Sequence, residues 1–204
     1  KAGQDCLFSG VYVPKDAPAW AKDPERLWNG VERAEDQHNR TRKKSATLAY
    51  SLDIGLMAEL TPEQNRYMLQ DFIRDVYVRR GHGVQASIHG PEQGGDARNI
   101  HAHLLVTIRT LDRDGFSPKK ESLDRGEMRH QVNAWREAWA QTASRHLSRH
   151  GFTQEAERMA SSHLTLEEQR QAALKRGDTA HAETLARDAT EHLGPKATRK
   201  ERDG

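Results

Sequence analysis

Two runs between Val84 and Arg109, separated by a short loop of glycine and polar residues, constrain this chain more than anything else in it. In the first, Val84, Ala86 and Ile88 alternate with Gln85, Ser87 and His89. In the second, Ala102, Leu104, Val106 and Ile108 alternate with His101, His103, Leu105, Thr107 and Arg109. Side chains alternate across a strand, so each run has one apolar and one mostly polar face. Paired as an antiparallel hairpin, the two runs must turn their apolar faces to the same side to share a core. His89, His101 and His103 then meet on the opposite face. Directly opposed residues have Cβ atoms roughly 4.5–5.5 Å apart, so the three imidazoles can converge on one metal ion.

A lone His-x-His is weak. With 11 histidines in 204 residues, roughly 0.6 such pairs arise by chance. Context raises it: the pair opens a strand, and a third histidine of matching parity closes the strand before. Three neutral imidazoles without a thiolate suit zinc, manganese, nickel or cobalt and leave coordination positions open. The competing reading is three polar side chains on an exposed sheet face. Asp53, on the polar face of a neighbouring strand, is a candidate to orient a ligating imidazole or accept a proton. Arg98 and Asn99, just before the pair, and Arg109, by parity on the histidine face, are candidates for phosphate contacts. Arg40, Arg42, Lys43 and Lys44 form a basic cluster of the kind that follows a nucleic-acid backbone. Taken singly, each of these cations is also what an ordinary solvated surface carries. Trp135 and Trp139, at helical spacing, read as core.

Bulk properties narrow the classes. Lys and Arg total 32 against 30 acids, a net charge of +2, too small to mark a nucleic-acid binder by itself. Cys6 is the single cysteine; that excludes an internal disulfide framework and fits a reducing compartment. Its strand-like neighbours suggest a small buried residue. No apolar run approaches the roughly 20 residues of a membrane span, and no signal peptide opens the chain. Because it starts at Lys1 within a strand-like stretch, the chain is expected to be a piece of a longer protein.

Taken in order, Leu7 to Val13 reads as a strand stopped by Pro14. Asp23-Pro24 starts a helix carrying Leu27, Trp28, Val31 and Ala34 on one face. Leu48 to Met57 alternates again. Thr61-Pro-Glu-Gln64 is a capping box opening a helix whose Met68, Leu69, Phe72, Ile73 and Val76 should cover the apolar sheet face. Arg79-Arg80-Gly81 ends it. Phe116 to Gly126 reads as loop, and Met128 to His150 as a long helix. The remainder is polar and helix-prone, with Leu164, Leu166, Leu174 and Leu185 as anchors. The expected fold is α+β: an antiparallel sheet with helices packed on one face and the other face open. The expected boundaries are a sheet domain over 1–151 and a helical C-terminal extension over 152–204.

Ser87-Ile-His-Gly-Pro followed by Arg98-Asn-Ile-His-Ala-His-Leu-Leu-Val-Thr-Ile-Arg109 resembles the three-histidine motif of the MobA/MobL family of plasmid mobilisation relaxases. Further pieces are similar to the same family in the same order: Pro14 to Trp20, Leu27-Trp-Asn-Gly-Val-Glu32, Glu59-Leu-Thr-Pro-Glu-Gln64, Asp114-Gly-Phe116, Trp135-Arg-Glu-Ala-Trp139 and His192-Leu-Gly-Pro195. The resemblance implies a sheet like that of relaxases and rolling-circle initiators. It implies one divalent ion (Mn, Mg, Zn, Ni or Co) on His89, His101 and His103, with Asp53 where relatives often carry an acid. It further implies nicking of single-stranded plasmid origin DNA by a tyrosine that becomes 5′-phosphotyrosyl, in a bacterial cytoplasm, with accessory mobilisation proteins. The family places that tyrosine in a motif upstream of anything matching Leu7 to Pro14. Tyr12, Tyr50, Tyr67 and Tyr77 do not fit the role, so the nucleophile segment is expected outside this chain. The other classes carried forward are a rolling-circle replication initiator, a His-ligated metallohydrolase and a DNA-binding module without chemistry.

Overall fold

Alternation turns into strand where the sequence places it. The computed structural model describes residues 6–38, 47–91, 96, 98–118 and 125–187. Its strands are β1 (Cys6–Tyr12), β2 (Ala49–Gly55), β3 (His82–His89), β4 (His101–Asp112) and the two-residue β5 (Gly115–Phe116). Every pairing is antiparallel, in the order β1-β3-β4-β2, with β5 added to the far end of β4. Phe116, expected in a loop, is thus the end of a tight hairpin closed at Gly115, whose φ of 108° is one that glycine adopts without strain.

The helices are α1 (Pro24–His38), α2 (Pro62–Val76), α3 (Arg125–Arg149), α4 (Thr153–Ala160), α5 (Leu166–Arg176) and α6 (Thr179–Leu185). Contacts divide the chain into Lys1–Ala160 and Ser161–Gly204. In the first unit, Val84, Ala86, Ile88, Ala102, Leu104 and Val106 meet Met68, Leu69, Phe72 and Ile73 of α2 and Ala143 and Leu147 of α3. The Thr61–Gln64 capping box that starts α2 is formed in both directions, and His146 of α3 meets Asp71 of α2 at 3.0 Å. Trp135 and Trp139 join this core as read from their spacing, Trp139 standing edge-on to Phe72 at 5.2 Å.

One expectation about the layers needs correction. The second face of the sheet is not open throughout, because α1 covers the half away from the histidines. Its apolar stripe has to be buried somewhere, and α2 and α3 already occupy the other side. Leu27 of α1 presses so close on β3 that a Cβ on Gly83 would lie 3.3 Å from it. The indole of Trp28 donates to Gln85 on the same face.

Arg109 is corrected by the same packing. It shares the parity of His101 and His103, yet it is only 3% exposed, against a Glu35 that is 0% exposed. Its guanidinium bonds Glu35 at 2.9–3.0 Å and the carbonyls of Ser117 and Pro118 at 3.1 and 2.6 Å. It ties α1 to the sheet and is no longer available to phosphate. Cys6, expected buried, is exposed where β1 begins on the sheet edge.

In the second unit, Ala173, Ala182 and Leu185 pack with Leu166. A Thr165–Glu168 capping box opens α5, and Gly177, at φ 78°, closes it. Leu164 and Leu174, read as anchors, are 37% and 43% exposed: the pair of helices is held by alanines that let them approach.

Removing one partner of the Glu35–Arg109 pair strands a buried charge. We predict that Glu35→Ala or Arg109→Ala lowers stability by about 3–5 kcal/mol in urea unfolding. Replacing both with apolar residues of similar size, Glu35→Leu with Arg109→Met, should recover most of it. Single variants within about 1 kcal/mol of the parent would contradict a buried pair.

Candidate metal centre

Register decides what the three histidines can do. His101 lies directly opposite His89 on β3, and His103 opposite Ser87; on its other side β4 sets Asp53 opposite His103 and Gly55 opposite His101. The three rings therefore cluster, with centroids 4.9 Å apart for His101–His103, 5.1 Å for His89–His103 and 5.8 Å for His89–His101. The cluster sits at the end of the polar face that α1 leaves uncovered.

Each ring has a hydrogen-bonding neighbour at one of its nitrogens. Nδ1 of His103 is 2.5 Å from Asp53 Oδ1, so its N–H points at the carboxylate and the Nε2 lone pair faces away, as a carboxylate behind a ligating imidazole arranges it. Nδ1 of His101 points to the Asn99 carbonyl at 3.3 Å. Nε2 of His89 meets the Ser87 hydroxyl at 3.2 Å, and its Nδ1 is buried with no hydrogen-bond partner. Partial burial and the two neighbouring imidazoles hold His89 below the ordinary histidine range, which keeps it in the neutral form that a metal requires. Ser87 was not singled out in the sequence, although its parity with His89, two residues away, is the signal that would have found it.

The donor chemistry fits one divalent cation: three imidazoles, an orienting carboxylate, and an unpartnered buried nitrogen on His89. Among the described residues, no three His, Cys, Asp or Glu side chains already stand in ligating geometry, so ligation would require the rings to rotate about their side-chain bonds.

The remaining candidates are dispersed. Arg98 is exposed in the loop before β4 and engaged with Asp96 at 2.7 Å; that guanidinium lowers the Asp96 carboxyl to about 2. Asn99 is exposed beside it. Arg109 is buried against Glu35. Arg40, Arg42, Lys43 and Lys44, and His192 to Pro195, lie outside the described residues. The tyrosines all belong to the other side: Tyr12 and Tyr50 share the parity of the apolar face, Tyr77 is buried in the core, and Tyr67 is exposed on α2. Burial raises the hydroxyl pKa of Tyr12 and of Tyr77, the opposite of what a nucleophile needs.

The chain is similar to known proteins. Residues 2–203 match the family model of the MobA/MobL family. The chain is 28% identical over 180 residues to a probable conjugal transfer protein TraA of Sinorhizobium fredii, covering 74% of this chain and 15% of that protein. It is 28% identical over 223 residues to the mobilization protein MobL of Acidithiobacillus ferridurans, covering 96% of this chain and 52% of MobL. A solved structure described as the molecular basis of vancomycin resistance transfer in Staphylococcus aureus superposes with a TM-score of 0.59 at 32% identity, covering 73% of each chain. The chain thus spans about half the length of MobL and about a seventh of that TraA. It belongs to the MobA/MobL family.

Proposed function

We propose that this chain is the DNA-handling and metal-holding part of a plasmid mobilisation relaxase, which nicks one strand of a transfer origin by tyrosine transesterification. The observation that carries this reading is the convergence of His89, His101 and His103, with Asp53 behind His103, at the end of the sheet face beyond α1. His89, His101 and His103 would hold one divalent ion (Mn, Mg, Zn, Ni or Co). A cation held by neutral ligands keeps its full charge, and when bound it polarises a phosphodiester and offsets the charge that builds on its oxygens.

The chain's own residues do the rest. Asp53 accepts from Nδ1 of His103 and so leaves Nε2 of that ring to a metal. The Asn99 carbonyl stands at Nδ1 of His101 in the same way, and the Ser87 hydroxyl meets His89. Arg98 and Asn99 flank the site on the loop that enters β4, where they meet the sugar–phosphate chain of single-stranded origin DNA. Arg40, Arg42, Lys43 and Lys44, outside the described residues, supply further positive charge for the same backbone. The nucleophilic tyrosine comes from a segment outside these residues, since the four tyrosines present are turned into or behind the core. Accessory mobilisation proteins complete the assembly. Among the described residues no helix is long and apolar enough to cross a membrane.

Three outcomes test this. His101→Ala with His103→Ala should abolish binding of Mn²⁺ or Zn²⁺ in calorimetry while leaving the melting temperature within a few degrees, because both side chains are solvent-facing. Metal-independent DNA binding that survives this change intact would favour a DNA-binding module without chemistry. Asp53→Asn should weaken metal affinity by about 10–100-fold without unfolding the chain; an unchanged affinity would remove Asp53 from the site. Finally, the 204-residue chain incubated with single-stranded origin DNA and Mn²⁺ should give no protein–DNA adduct on a denaturing gel, whereas a polypeptide extended upstream should. An adduct with the chain alone would overturn the placement of the nucleophile. Turnover of a small phosphodiester without DNA would point to a metallohydrolase instead.

A further inference from the structure

The first residue of β1 does not follow the alternation of the rest of the strand. Phe8 packs against the core on the α2 side, and counting back from it a regular strand would turn Cys6 to that same apolar side. The pairing with β3 has a bulge instead. Phe8 stands opposite Ile88 and Cys6 opposite His89, which leaves Leu7 as the extra residue. Leu7 and Phe8 both line the cavity that Ile88 shares with Pro62, Asn65 and Arg66 of α2. With two successive side chains on the α2 side, Cys6 falls on the histidine side. Bulges next to functional sites re-aim a side chain in this way.

Directly opposed residues on one face have Cβ atoms roughly 4.5–5.5 Å apart. Cys6 therefore stands beside His89, in the row that continues to His101. Its thiol is exposed and donates to the Phe8 carbonyl at 3.3 Å, a local contact that rotation about one side-chain bond gives up. Nδ1 of His89 is closed to solvent and has no hydrogen-bond partner. Cys6 is also the single cysteine, so no second thiol of the chain competes for it as a disulfide partner.

A thiol at this place changes what the donor set can hold. Three imidazoles leave a tetrahedral ion one ligand short. Zinc and cobalt accept a thiolate there, whereas manganese and magnesium favour oxygen ligands and water.

We propose that Cys6 is a fourth ligand to the ion held by His89, His101 and His103: its thiolate completes the coordination of zinc or cobalt and stays off manganese or magnesium. This deepens, and rests on, the reading of the three histidines as a metal site. The Sγ–H proton passes to solvent as the metal–sulfur bond forms, and the thiolate then occupies the position that a phosphate oxygen would take. Zinc thus holds the site closed, and manganese or magnesium leaves it open to DNA.

Cobalt reports the bond directly. Co²⁺ titrated into the 204-residue chain should bring up a thiolate-to-cobalt charge-transfer band in the near ultraviolet that saturates at one ion per chain. Cys6→Ser should lose that band and keep the visible absorption of imidazole-bound cobalt, while His101→Ala with His103→Ala should lose both. In the parent chain Zn²⁺ should slow the reaction of Cys6 with a thiol reagent by about tenfold or more, and Mg²⁺ should not. Cobalt bound without the charge-transfer band would overturn this proposal and leave the three-histidine site standing; no cobalt bound at all would overturn both. A band that needs two chains per ion would put the thiol of a second copy on the metal and would equally sink the proposal, as would equal protection of Cys6 by Zn²⁺ and Mg²⁺.

Discussion

The pairing of β3 with β4 in one register is the constraint on which the rest depends. Because side chains alternate with a period of two, slipping either strand by one residue would send its histidines into the core and expose its aliphatic residues. Val84, Ala86, Ile88, Ala102, Leu104 and Val106 are all between 0% and 3% exposed, so such a slip would forfeit most of the apolar burial in the centre of the fold. Burial on one face thus positions chemistry on the other. No interaction between the imidazoles themselves is needed to bring them together.

The same face serves two ends. At its histidine end the sheet is polar, and no described helix lies over it. At its other end α1 seals it with Leu27, Trp28 and the Glu35–Arg109 pair. An ionic pair withdrawn from water is stabilised only if both members keep their partners, and Arg109 has four hydrogen-bonding contacts that involve α1 and the β5 exit. It specifies how α1 sits on the sheet, a task that packing of Leu27 and Trp28 alone would do with less directional definition.

Much of this was legible in the sequence for a physical reason. Period-two and period-3.6 patterns report which side of an element is buried, and β2, β3, β4 and α2 all obey them. The capping box at Thr61 marked a helix start because its chemistry is local. What escaped was non-local. Parity put Arg109 with the histidines, but nothing in the pattern says that a helix will lie over that part of the face. Cys6 looked buried from its neighbours, whereas edge position and a bulge between Cys6 and Phe8 leave it exposed. Leu164 and Leu174 read as anchors by hydrophobicity alone, while small alanines set the actual contact. The candidate ligands were readable since they sit two apart on one strand and directly across on the next. Ser87 was readable by the same parity and passed over.

Tolerance to change varies along β4. Its twelve residues pass from a partly exposed His101 to a double-sided interior at Thr107 and Arg109, where both faces are packed. Substitutions of polar-face residues in the first half should therefore alter what the protein does while sparing how well it holds together, and the reverse should apply in the second half. A single β-strand would thus be free to diversify at its entrance and bound to stay fixed toward its exit, so relatives could retune the chemistry without renegotiating the scaffold.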